Sequence, residues 1–271
     1  MSLIAKLTGK ARKSGALIIV RSARTTAALI LREMSSTYGR TPGGYIWAVL
    51  EPIGMIMILS LAFSLVVRAP SMGVSFILFY ATGYLPFQLY SETEGKISRA
   101  LQYSRSLLSY PSVLWIDAIA ARFILNTITA AVVFCIIMGG IIIFEETRVS
   151  INIFQIVSSL GLAAGLGLGV GMVNCILRSL YPVWSNVWSI VSRPLFIASG
   201  VLFIYEDMPQ SVQNVLWWNP LIHITGLMRA GFYSTYNPTY ISFTYVCSIF
   251  MTLIFFGLVF MKRNYQKILE K

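Results

Sequence analysis

Few residues in this chain are of types that could do covalent chemistry. Close carboxylate pairs include Glu92 with Glu94 and Glu145 with Glu146, the single histidine is His223, and Cys135, Cys175 and Cys247 are widely separated. Paired carboxylates could divide acid and base roles or hold a divalent cation. Both pairs, however, lie at the ends of apolar segments with no histidine beside them, and the cysteines lack any metal or redox spacing. The run Gly161, Gly165, Gly167, Gly169, Gly171 could suggest a phosphate loop, but no Lys-Ser/Thr follows it. Gly161, Gly165 and Gly169 instead share one helix face in small-xxx-small steps, the pattern of close helix packing. The conspicuous chemistry is charge inside apolar segments, at Glu51, Arg122 and Arg193. An ionisable group at bilayer depth is costly, so each must pair inside a helix bundle or line a polar path. Glu51 is expected to find its basic partner in Arg193 or Arg122.

The elements that carry these residues follow from composition. The chain has 271 residues, 56% of them hydrophobic and 11% charged, and its mean hydropathy is +0.73. That leaves too few polar groups to cover a soluble globule of this size. Apolar segments of spanning length, about 20 residues, are read at 45–67, 74–90, 118–144, 151–177, 183–205 and 241–261. The expected fold is therefore an all-α membrane protein, one domain over 1–271, with six transmembrane helices and both termini on one side.

Basic residues fix which side. Lys6, Lys10, Arg12, Lys13, Arg21, Arg24, Arg32 and Arg40 precede the first span, Lys96, Arg99 and Arg105 follow the second, and Lys262, Arg263, Lys267 and Lys271 follow the last. Lysine and arginine accumulate next to spans on the cytoplasmic side, so both termini are expected there. The net charge of +11 is a topology signal and does not call for nucleic acid. The N-terminal apolar run Ala16–Val20 is too short for a signal-peptide core.

Three segments between spans are informative. An amphipathic helix over 22–40, with Ala27, Ile30, Leu31, Met34 and Tyr38 on one face and Arg32, Ser36 and Arg40 on the other, is expected to lie flat in the membrane interface. Tyr45 and Trp47 then supply aromatic rings where the first span enters. The segment 99–110 carries Leu101, Leu107 and Leu108 to anchor a short helix, and Gln102, Arg105 and Ser106 as a polar edge. That mix suits docking on a soluble cytoplasmic partner. Over 212–232, Asn219-Pro220 interrupts an apolar stretch holding Trp217, Trp218, His223 and Arg229, as in a bent re-entrant hairpin on the periplasmic side. Aromatic rings make up 13% of the chain. Rings such as Tyr84 combine an apolar face with a polar handle, although most will be packing or interfacial residues.

Leu31-Arg32-Glu33, Gly39, Gly44-Tyr45, Trp47-Ala48 and Leu50-Glu51-Pro52 are followed in order by Tyr110-Pro111, Ala121-Arg122, Arg193-Pro194-Leu195 and Trp218-Asn219-Pro220-Leu221 with His223 and Arg229. With these motifs the sequence resembles the permease subunit of bacterial capsular-polysaccharide ABC exporters, within the type 2 ABC permeases that also export O-antigen and teichoic acid polymers. The resemblance implies a transporter subunit in the bacterial inner membrane and no catalytic residue or metal of its own. It also implies a homodimer and two cytoplasmic ATPase subunits that carry ATP and magnesium. The substrate would be a lipid-linked polysaccharide, with periplasmic export proteins as further candidate partners. Arg99, Leu101, Gln102, Arg105, Ser106, Leu107, Leu108 and Tyr110 would form the ATPase-coupling helix, and Arg32, Glu33 and Arg40 would belong to the interface helix. Tyr45, Glu51, Tyr84, Arg122, Arg193, Trp217, Trp218, Asn219, His223 and Arg229 would belong to the path or gate. The alternatives are a related permease for O-antigen, teichoic acid or a small amphiphile, a membrane-bound glycosyltransferase, or a channel.

Overall fold

The computed structural model describes residues 24–35, 43–108, 113–145 and 150–270, and all regular structure among them is helical. The helices are α1, described over 24–35, α2 Gly44–Ser64, α3 Phe76–Ser98, α4 Ala100–Leu108, α5 Trp115–Phe144, α6 Ile153–Leu180, α7 Trp184–Ile197, α8 Gln210–Leu216, α9 Pro220–Phe232 and α10 Phe243–Glu270. Starts are set by local chemistry. Ser75 accepts from the Leu78 N–H at 3.1 Å and Asn219 from the Leu221 N–H at 3.1 Å, and Pro220 follows as a first-turn proline without an N–H to satisfy.

Four helices are long and apolar enough to cross a membrane: Gly44–Ser64, Trp115–Phe144, Ile153–Leu180 and Phe243–Tyr265. Two of the expected crossings look different. Helix α3 has 23 residues and runs on past Tyr90 to Ser98, so Gln88, Glu92, Glu94 and Lys96 lie on the helix itself and only Arg99 separates it from α4. The stretch 183–205 is helical only over the 14 residues of α7, about 21 Å at 1.5 Å per residue against a hydrocarbon core of about 30 Å. It stops because Gly200 turns the chain at φ +75, where a side chain would also strike Ile222.

Helix α6 is the centre of the bundle, packed by α3, α9 and α10. Its glycines serve two neighbours rather than one. A Cβ at Gly167 or Gly171 would come within 2.8 Å of Tyr90 O and 2.9 Å of Ile97 Cβ on α3, whereas one at Gly169 would come within 3.0 Å of Phe250 O on α10. Gly165 also faces Phe250, and Gly161 faces open space. Interleaving two i, i+4 pairs lets one helix receive two others at close range. Helix α7, by contrast, has no buried residue.

Candidate functional site

Arg122 is the node of the end of the molecule that carries α1 and α4. Its side chain is 7% exposed and pairs with Glu33 of α1 at 3.1 Å. The same guanidinium donates to the Lys96 carbonyl of α3 at 3.2 Å and lies over the Tyr103 ring of α4 at 5.0 Å. One planar fork therefore touches three elements, which a lysine could not do from one position. Arg122 is thus committed to Glu33, and the expected pairing of Glu51 with Arg122 or Arg193 does not form within the subunit. Glu51 and Arg193 are both exposed, and neither makes an ion pair among the described residues.

The segment after α3 forms a helix with two unlike sides. Ala100, Leu101 and Leu108 are buried in a cluster with Ile97, Ile119, Met172, Cys175 and Met261. Gln102, Tyr103 and Arg105 are exposed and Leu107 is half-buried. Arg99 is exposed, its Nε donating to the Gly95 carbonyl at 2.9 Å. The apolar side fixes the helix to the bundle and the polar edge points outward, an arrangement fit for docking. Ser106 lies within this helix; Tyr110 and Arg40 lie outside the described residues. On α1, Arg32, Leu31 and Met34 are exposed and Glu33 turns inward.

A polar stripe is left open along α3. On α3, Tyr84 and Gln88 are half-buried, Ser91 is exposed and Glu92 is half-buried, recurring at helical spacing on one face. Tyr84 is within electrostatic reach of Glu51 on α2 and of Glu92. Gln88 donates to Glu92 at 2.7 Å, Lys96 pairs with Glu92 at 3.1 Å and donates to Asn126 Oδ1 at 2.5 Å, and Asn126 donates to Thr93 at 2.8 Å. Helix α7 is joined to this region by the Phe196 ring against Phe87 at 5.1 Å, and exposes Asn186, Ser189 and Arg193. Tyr45, at the start of α2, is exposed as well.

The residues of α9 expected in a path or gate are bonded to irregular backbone. Between α7 and the short helical turn Tyr205–Asp207 the backbone is not helical, so its carbonyls need donors where water is excluded. Asn219 Nδ2 donates to Ala198 O at 2.9 Å, Thr225 to Ser199 O at 2.8 Å, and Arg229 to Val201 O at 3.1 Å and Phe203 O at 2.7 Å. The Arg229 guanidinium also lies over the Phe79 ring at 4.2 Å. His223 is fully buried. Its Nε2 lies 2.8 Å from Trp217 O and its Nδ1 accepts from the Ser242 N–H at 3.2 Å, so Nε2 carries the proton and the ring is neutral. Trp217 stacks on Tyr245 at 4.9 Å and donates to Tyr240 O, while Trp218 is 68% exposed. Asn219, His223 and Arg229 are therefore braces for irregular backbone, and Trp218 is the ring that faces outward.

Sequence reasoning missed one chain of bonds. Glu94, 6% exposed, accepts from Asn174 Nδ2 at 2.8 Å, and Asn174 Oδ1 accepts from the Trp184 indole at 2.8 Å, tying α3, α6 and the start of α7 together. The available signal was an asparagine in the fourth apolar segment, which must find partners when buried.

No cluster able to hold a metal ion is present among the described residues. Comparison with known proteins matches residues 24–233 to the model of the ABC-2 type transporter family. The chain is 28% identical over 245 residues to the polysialic acid transport protein KpsM of Escherichia coli, covering 90% of this chain and 95% of that one. It is 26% identical to the capsule polysaccharide export inner-membrane protein CtrC of Neisseria meningitidis, covering 89% and 91% of the two chains. It is 25% identical to the capsule polysaccharide export inner-membrane protein BexB of Haemophilus influenzae, covering 91% and 93%. A family match over most of the chain, together with apolar spanning helices built around a glycine-rich centre, gives the conclusion: the chain belongs to the ABC-2 type transporter family.

Proposed function

We propose that this chain is the membrane subunit of an ATP-driven exporter that moves capsular or a related surface polysaccharide across the bacterial inner membrane. It works as a homodimer with two cytoplasmic ATPase subunits, and both termini lie in the cytoplasm. The observation that carries the reading is the open polar stripe of Tyr84, Gln88, Ser91 and Glu92, within electrostatic reach of the exposed Glu51 and accompanied by an exposed Arg193 on α7. Such groups are too costly to leave in lipid. A second copy facing the stripe would enclose a hydrophilic path suited to a polymer rich in hydroxyls. The cargo class follows the names borne by the three relatives.

In this reading α3 and α7 supply the remaining two crossings of a six-span subunit. Helix α7 needs no full length of its own, because α9 braces the irregular stretch that continues it. The segment α8–α9 is the re-entrant hairpin on the periplasmic side, α1 lies in the cytoplasmic interface, and the exposed edge of α4 receives the ATPase subunit.

The test is reconstitution of the full chain with its ATPase in vesicles whose ATP-binding side faces outward. ATP-dependent uptake of the polysaccharide is expected in wild type, with Glu51→Gln impaired in transport more than in the amount of protein inserted. Cysteines at Ser91 and Arg193 should cross-link between copies. Uptake of sugar polymer that is independent of ATP would overturn the proposal.

A further inference from the structure

A groove of about 270 Å3 runs between α2 and α5, lined on α2 by Ile53, Ile56 and Met57 and on α5 by Ile136, Gly140 and Phe144. It ends at Glu145, and one oxygen of that carboxylate is buried with no hydrogen-bond partner among the described residues. Tyr233, packed against the same core, likewise has a buried hydroxyl without a partner among the described residues. Tyr233 is within electrostatic reach of Glu145.

The dimensions identify an occupant. From Ile136 to Glu145 the groove follows nine residues of helix, about 13 Å at 1.5 Å per residue, close to the half-thickness of about 15 Å that one leaflet contributes. An apolar cavity of about 150 Å3 is already large enough to hold benzene. Both walls belong to helices apolar enough to span a membrane. The groove also lies on the side of α2 turned away from Glu51, since Ile53 follows it by two residues, about 200° around the helix. A second copy facing Glu51 would leave the groove open to lipid.

We propose that this groove is a selective lipid site, holding one acyl chain along α5 and the primary ammonium of an ethanolamine-type phospholipid at Glu145. An ammonium offers three donors, which suits the carboxylate that closes the groove. A quaternary ammonium has none, and a phosphoglycerol headgroup brings negative charge without compensating cation. Assigning the site to the outer leaflet rests on the proposed orientation; the site itself does not.

The experiment uses the full-length chain in detergent, equilibrated with equal amounts of dioleoyl phosphatidylethanolamine, phosphatidylcholine and phosphatidylglycerol and read by native mass spectrometry. Wild type should retain phosphatidylethanolamine about tenfold or more over the others, the factor of one charge-assisted hydrogen bond. Glu145→Gln should keep a bound lipid but lose the preference. Gly140→Phe should lose the lipid while the chain stays folded, because a Cβ there meets nothing within 4 Å; Gly140→Leu serves as a second filling variant. Equal retention of all three lipids by wild type, a preference for phosphatidylglycerol, or full lipid retention by both filling variants would overturn the proposal. So would cross-linking between copies through cysteines at Ile53 and Ile136, which would show a second subunit seated there.

Discussion

Replacing Arg122 with Gln should release α1 from the bundle. Truncating one member of a buried pair costs about 3–5 kcal/mol, and an exposed pair contributes about 0–1. Side-chain exposures of 7% for Arg122 and 27% for Glu33 lie between those cases, so the expected loss is about 2–3 kcal/mol. At tenfold per 1.4 kcal/mol, the undocked fraction of α1 should rise by about 30- to 140-fold. A cysteine at Leu29, half-buried on the inward side of α1, would report this as a faster rate of maleimide labelling. Arg122→Lys retains the charge but not the fork and should fall between the two. The exchange Glu33→Arg with Arg122→Glu should recover part of the protection. If Arg122 joins α1 to α4 during the transport cycle, polysaccharide export will fall while ATP hydrolysis by the assembled complex continues. A labelling change below about threefold in Arg122→Gln, with export intact, would refute the reasoning, because the pair would then be worth no more than a surface contact.

Gly171→Val should destabilise the protein by about 1–3 kcal/mol through overpacking against Ile97, lowering its thermal midpoint, while Gly161→Ala should leave it unchanged. Arg229→Met strips donors from the Val201 and Phe203 carbonyls, at about 1–3 kcal/mol each, and should reduce the protein recovered from the membrane. Arg105→Glu with Gln102→Glu, both on the exposed edge of α4, should abolish copurification of the ATPase without lowering permease levels. Leu108→Asp is expected to cost folding itself, since Leu108 is 4% exposed in the core.

Segments with a strong single signal were legible in the sequence. The apolar runs marked α2, α5, α6 and α10, and the leucine pattern at 101, 107 and 108 marked a short helix with one apolar side. What was not legible depends on partners distant in sequence. Depth along a span placed Arg122 near Glu51, yet Glu33, 89 positions away from Arg122, takes the guanidinium. The resemblance assigned His223 and Arg229 to the path or gate without telling what they bond to. Their role as braces is visible only once the backbone of 198–203 lies against α9. The end of α7 at Ile197 had a local cue in Gly200, but a glycine alone does not tell a turn from a helix contact.

Helix α7 is held near its two ends, with Leu195 and Phe196 packed on the core at the second. Trp184 is hydrogen-bonded to Asn174 at one end, α9 holds the carbonyls just beyond the other, and no residue along the rod is buried in its own subunit. Mechanically this is a beam clamped at both supports. Sideways bowing of its middle breaks no core packing, so the width of any space it borders can change at small cost in folding energy, while the bundle behind it stays rigid. Loosening either clamp would convert that guided deflection into free swing. The two supports, rather than the face of the beam, then set how far it can deflect and still come back to the same position.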